Sequence, residues 1–125
     1  MKKEVIHYYA CWYGGEEGFE LFQNNKGVAF TTSTHHTKIK DNKILNFWNK
    51  IEEIGVWKWN KKYPYWKQKY QQLPDGYDWE LKLRDRNGRA KYCKGYESYP
   101  NNYNEFIKEL NNLFGSEIKD EKFEL

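Results

Sequence analysis

The amino-acid sequence predicts an α+β domain, an antiparallel sheet of about five strands ordered βββ-α-ββ-α with both helices packed on one face. Three observations carry this. The chain opens on three short β-rich segments separated by turn residues. Two later stretches space their apolar residues three and four apart. Between those two, a strictly alternating segment runs into Asn87-Gly88, a strong hairpin signal. Nothing in the order alternates strand with helix as a parallel sheet would.

Glu4 to Tyr13 is rich in Val, Ile, Tyr and Trp and reads as the first strand. Gly14-Gly15 breaks it, and Glu16-Glu17-Gly18 completes a turn. Phe19 to Gln23 is the second strand. Asn24-Asn25-Lys26-Gly27 follows, a loop whose residues tolerate positive φ. Val28 to Thr32 is the third strand, with Val28, Phe30 and Thr32 on one face. The period then changes. Ile44, Phe47, Trp48, Ile51 and Ile54 form one stripe of an amphipathic helix. Asp41 or Asn42 is placed to cap its start, and Gly55 to end it in the left-handed region.

After a long connector, Tyr77, Trp79, Leu81 and Leu83 alternate with Asp78, Glu80, Lys82 and Arg84, giving a strand with one covered and one wet face. A two-residue turn at Asn87-Gly88 would pair Leu83 with Tyr92 and Trp79 with Tyr96. That register places Lys94 on the apolar face, where it needs a bulge near Gly95 or must reach the rim. Pro100 in the first turn or Asn101 as cap opens the second helix. Tyr103, Phe106, Ile107, Leu110 and Leu113 are its buried stripe, and Gly115 ends it. Residues 1–115 therefore form one domain, and 116–125 a charged, flexible tail.

A chain of 125 residues buries enough surface for one core without staples. That core is unusual in kind, because aromatics make up 19% of the chain, with eleven Tyr and six Trp. Large rings must do what aliphatics usually do, and each buried Tyr or Trp tip needs a hydrogen-bond partner. The net charge of +3, from 21 basic and 18 acidic residues, is too balanced to imply nucleic acid from bulk charge. Two cysteines, Cys11 and Cys93, do not make a secreted disulfide framework. The N-terminus lacks an apolar signal segment, and no stretch is a membrane span, so a cytoplasmic location is expected.

Few residues suit chemistry. His7 and Cys11 on one strand share a face but stand roughly 13 Å apart. His35 and His36 point to opposite sides of an extended segment, so no zinc site is expected. Asp75 with Asp78, or Glu16 with Glu17, could act as acid–base pairs, but a solvated sheet face explains such carboxylates better. Gly14-Gly15-x-x-Gly18 precedes no helix, which argues against a phosphate cradle. No nucleotide, hydrolase or metalloprotease motif occurs. The expectation is a protein that is not an enzyme and carries no cofactor and no metal.

The connector is the remaining candidate. From Val56 to Tyr70 it reads VWKWNKKYPYWKQKY, six aromatics and five lysines with no carboxylate. If extended, it sets Trp57 and Trp59 on one side and Lys58 on the other. Trp57, Lys58, Trp59, Lys61, Lys62, Tyr65, Trp66, Lys67 and Lys69 are the candidate binding residues. Rings could stack bases while lysines meet phosphates. The same rings could anchor a protein partner inside a polar rim, or they could simply close the core.

The second half carries a resemblance. DGYDWELKL, a hairpin, then KGYESYPNNYNEFIKELNNLF resembles a family of small, functionally uncharacterised bacterial proteins, mainly Gram-positive. These have an Asp-Gly turn, a Trp-bearing strand and an aromatic-Pro start to the last helix. The matching residues are Asp75, Gly76, Trp79, Gly95, Tyr99, Pro100 and Phe106. Family members usually carry Ser-Asn before the aromatic-Pro, where this chain has Glu97-Ser98. The resemblance implies the fold and a bacterial or phage origin, and no activity. The expected function is a binding module acting on another macromolecule, foremost a protein, as an immunity protein, a phage-encoded inhibitor of a bacterial defence system or an assembly subunit would. The alternatives are a single-stranded nucleic-acid binder using 56–70 and a small hydrolase or nuclease.

Overall fold

The computed structural model describes residues 4–31, 33–63 and 77–115. The second half of the connector, with Tyr65, Trp66, Lys67 and Lys69, the Asp75-Gly76 turn and the tail 116–125 lie outside the described residues. The strands are β1 (Val5–Trp12), β2 (Gly15–Phe22), β3 (Lys26–Phe30), β4 (Thr34–Lys38), β5 (Lys62–Tyr63), β6 (Asp78–Arg84) and β7 (Ala90–Tyr96). The helices are α1 (Asp41–Ile54) and α2 (Tyr103–Phe114). Among the described residues the strands form one open seven-stranded sheet in the order β4-β3-β2-β1-β6-β7-β5. Neighbours run antiparallel except β5, which is parallel to β7.

The class is α+β as expected, but five antiparallel strands is too few and the sheet is mixed. The two added strands are the edges, which bury little and so show no apolar alternation. β4 reads Thr-His-His-Thr-Lys and β5 is two residues long. Glu16 to Gly18 belong to β2 rather than to a turn. The reversal is made by Tyr13-Gly14 alone, between the partners Trp12 and Gly15, with Gly14 at φ +95°. β3 begins at Lys26, so Val28 and Phe30 face away from the core, and the inward positions are the small Gly27 and Ala29. A Cβ at Gly27 would meet the rings and methyls of Phe114 and Ile39 at 2.7 Å. Small residues there let α2 approach the sheet.

The hairpin register also differs. The loop between β6 and β7 is one residue longer than a two-residue turn. Asp85 N–H donates to Arg89 O, and the Asp85 carboxylate, itself buried, accepts from the N–H groups of Asn87 and Arg89. Leu83 therefore pairs with Lys91, Leu81 with Cys93 and Trp79 with Gly95. A slip of one residue exchanges the faces of a strand. Cys93 and Gly95 turn inward, and Tyr92 and Lys94 turn outward, so Lys94 needs no bulge.

One hydrophobic cluster contains the inward residues of β1, β2, β3, β6 and β7 with the stripes of both helices. Ile44, Phe47, Trp48 and Ile51 come from α1, and Phe106, Ile107, Leu110 and Leu113 from α2. Both helices thus cover one face. Neither starts on a side-chain cap. Lys40 and Asn102 hold the cap positions, rather than Asp41, Asn42 or Asn101, and Asp41 adds a favourable charge in the first turn of α1. Gly55 (φ +87°) and Gly115 (φ +65°) end the helices where the sequence placed them.

At the centre the Tyr8 hydroxyl bonds those of Tyr77 at 2.9 Å and Tyr103 at 2.7 Å, and Tyr77 donates to the buried Glu17 carboxylate at 2.9 Å. Burial raises all three phenols above their ordinary range, so they stay neutral donors at any physiological pH. Nearby, Trp79, Gly95 and Tyr99 form a packing unit. Trp79 stacks on Tyr99, donates its indole N–H to Ser98 O at 3.0 Å, and lies on Gly95. A Cβ at Gly95 would overlap the indole ring. Gly95→Ala is expected to lower the urea midpoint by an amount equivalent to about 2 kcal/mol, the range for overpacking a tight core. An unchanged midpoint would show that Trp79 moves aside at no cost.

Candidate macromolecular interface

The first half of the connector is spent largely on the core. Val56–Lys58 forms a 3-10 turn rather than an extended segment. Trp57 is half-buried, stacked on Trp48 with centroids 6.1 Å apart, and the Arg89 guanidinium lies 4.2 Å above its ring. Trp59, 7% exposed, stacks on Tyr103 and meets Phe106 edge-on. Tyr63 is buried as well, opposite Gly95. Trp59 therefore has no free ring face for a base, and Trp57 is already sandwiched. The lysines behave differently. Lys58, Lys61 and Lys62 are exposed, and none forms an ion pair among the described residues.

β5 carries Lys62 to the other face of the sheet, which no described element covers. The paired strands set side chains there in rows. One row runs Phe30, Gly18, Tyr9, Glu80, Lys94, Lys62 across six strands. Gly18 leaves room for the Phe30 ring to lean towards Tyr9, with centroids 6.2 Å apart. The next row runs Val28, Glu20, His7, Lys82, Tyr92. Here His7 Nδ1 pairs with Glu20, and the Lys82 ammonium lies 5.7 Å from the centre of the Tyr92 ring. A third row sets Glu16, Cys11, Asp78 and Tyr96 side by side.

Between these rows lies a groove of about 360 Å³, lined by Tyr9, Cys11, Asp78, Glu80, Tyr92 and Lys94 with Lys62 at its end. The acids sit on β6 and the bases on β7 and β5. None of Asp78, Glu80, Lys94 and Lys62 makes an ion pair among the described residues. Burial, then the Glu97 charge, raises the Asp78 carboxyl above its ordinary value. Donation to the Glu16 carboxylate, then burial, pushes Tyr9 up to about 12. The Cys11 thiol is raised by burial and then by Asp78, Glu16 and Glu80, which disfavours the nucleophilic thiolate.

The other candidate groups do not converge. Glu16 lies on the outer face and Glu17 inside the core, so the sheet separates them. Cys11 and Cys93 are both free and face opposite sides. β1 is continuous between His7 and Cys11, and His35 and His36 pair with Ala29 and Val28 on opposite faces of β4. Among the described residues no three His, Cys, Asp or Glu side chains come together as metal ligands, and no helix is long and apolar enough to cross a membrane. Sequence reasoning missed Tyr9 and Tyr92 as surface groups, and reached Lys94 only as a residue that, with Arg84, could extend the connector's basic patch from the rim. The hairpin register that would have exposed Tyr92 and Lys94 depends on one residue of loop length. In comparisons with protein-family models and with curated proteins, nothing matches this chain.

The two thiols give a direct test of this geometry. Burial pushes Cys93 up to about 11, so at pH 8 it should react with a disulfide reagent only after unfolding. Cys11, half-exposed, should react in the folded protein but more slowly than a free thiol. Asp78→Asn removes one of the charges opposing its thiolate and should speed Cys11 several-fold, measured by the absorbance of the released thiol. Equal rates in wild type and variant would show that Asp78 does not act on this thiol.

Proposed function

We propose that this chain is a non-catalytic binding module whose contact surface is the outer face of the sheet with its lysine edge, and whose partner is a protein. The observation that carries this is the groove, where charges of both signs stand around tyrosine rings with no ion pair among the described residues. Tyrosine with a polar surround is the composition of interface hot spots. Tyr92, 39% exposed, is the most open of the rings that line the groove. Unpaired charges on such a surface select a partner by complementarity and exclude others by repulsion. The raised Cys11 thiol and the separation of Glu16 from Glu17 support a role without catalysis. Acting by occupying a surface is what an immunity protein, an inhibitor of a defence system or an assembly subunit does. The free thiols fit a reducing cytoplasm.

A second reading, single-stranded nucleic acid, is favoured by Lys58, Lys61, Lys62 and Lys94, which are exposed and form no ion pair among the described residues. It is weakened by Asp78 and Glu80 in the same groove, which repel phosphates, and by the packing of Trp57 and Trp59.

Affinity capture from bacterial extract, wild type beside Tyr92→Glu/Lys94→Glu, tests the first reading. A retained protein should be lost at least tenfold by the double variant, while the melting temperature holds. Equal retention by both proteins would sink the assignment of this face. Fluorescent oligonucleotides tested at low and high salt address the second reading. Binding that weakens steeply with salt, and is lost in Lys61→Glu/Lys62→Glu, would replace the protein partner with a nucleic acid.

A further inference from the structure

The charges of the outer face are arranged so that the face complements itself. In one row the order across β1, β6, β7 and β5 is Tyr9, Glu80, Lys94, Lys62, that is, ring, minus, plus, plus. Within one chain this order is poorly used. Glu80 and Lys94 are cross-strand partners, yet they form no ion pair. Lys62 and Lys94 stand directly opposite each other in the parallel pair, and like charges so placed destabilise a sheet.

We propose that the occupant of this face is a second copy of the same chain, packed face to face about a twofold axis that runs along the strands between β6 and β7. This rests on the reading that the outer face is the contact surface, and it names what covers it. An isologous contact requires that when one residue meets another, the reverse contact also exists. This axis lays β6 over β7 of the second copy and β1 over its β5, with each row kept at its own level. Glu80 then meets Lys94 of the second copy, and Lys94 meets its Glu80. Tyr9 comes opposite Lys62 of the second copy, a cation over a ring. In the neighbouring row Lys82 faces Tyr92 of the second copy, and this repeats between the chains the contact that Lys82 already makes within one chain at 5.7 Å. Moving the axis by one strand, to lie between β7 and β5, would instead lay Lys94 on Lys62 of the second copy. Charge complementarity therefore prefers the axis between β6 and β7 to this neighbour. Two sheets packed in this way, their inner side chains interdigitating, are a familiar sandwich geometry.

The experiment is sedimentation velocity on the full chain from about 1 to 200 μM, at about 25 and 500 mM salt, a range over which exposed ion pairs are strongly screened. The expected result is a concentration-dependent dimer that weakens with salt. Glu80→Lys and Lys94→Glu should each weaken self-association at least tenfold, since each places like charges across the axis. An equimolar mixture of the two variants should recover association to within threefold of wild type, because both halves of the mixed contact are again opposite in sign. Circular dichroism confirms that the variants fold. A wild type that stays monomeric throughout overturns the proposal, as does a dimer indifferent to both substitutions or a mixture that fails to recover. A monomeric wild type whose Tyr92→Glu/Lys94→Glu variant still loses a captured protein overturns self-association alone and leaves the binding-module reading standing.

Discussion

Three tyrosine hydroxyls and one carboxylate meet in the middle of the core, and their mutual hydrogen bonding constrains everything packed around them. Tyr8 comes from the central strand, Tyr103 from the first turn of α2, Tyr77 from the entry to β6 and Glu17 from β2. A core poor in aliphatics has to bury rings with polar ends. A hydroxyl left buried without a partner costs on the order of 1–3 kcal/mol. Placing these four groups so that each satisfies another fixes where α2 sits along the sheet and how β2 and β6 flank β1. The aromatic stacks around them, Tyr103 on Trp59 and Tyr99 on Trp79, follow from that position.

The interior elements of the fold could be read from residue spacing because burial writes a period into the sequence. The alternation of Tyr77, Trp79, Leu81 and Leu83 and the stripes Ile44-Phe47-Trp48-Ile51 and Phe106-Ile107-Leu110 each correspond to one covered face. The edges were not legible for the converse reason. Thr34–Lys38 leaves four of its five residues exposed, and Lys62–Tyr63 owes its strand character to a neighbour distant in sequence. The β6–β7 register failed through a local detail. The Asp85 carboxylate caps its own loop through Asn87 and Arg89, and this added residue reverses the faces of β7. Composition alone does not distinguish that loop from a two-residue Asn-Gly turn.

The candidate site was legible only in part, and the reason is again geometric. Spacing leaves open whether the rings of residues 56–63 join the lysines at the surface or close the core, and the 3-10 turn and the two-residue strand divide the two sets. Trp59 and Tyr63 enter the core while Lys58, Lys61 and Lys62 stay in water. The groups that join Lys62 on the outer face, Tyr9, Glu80 and Lys94, come from three other strands and share no local motif. A surface assembled across a sheet from residues 14 to 85 positions apart becomes visible only once the strand order is known.

That strand order has a consequence for how the chain is made. β1 lies at the centre of the sheet, yet its second neighbour, β6, begins at Asp78. During synthesis β1 to β4 and α1 are complete while one edge of β1 is still open. Ile6 and Tyr8 then wait, with their ring and helix partners, for residues that have not yet emerged. Joining the two halves closes a loop of about seventy residues, a separation that slows folding and prolongs exposure of a pairing-competent edge. The nascent chain is thus most vulnerable to intermolecular pairing in the interval between the release of α1 and the arrival of β6, a window in which ribosome-associated chaperones would find their substrate.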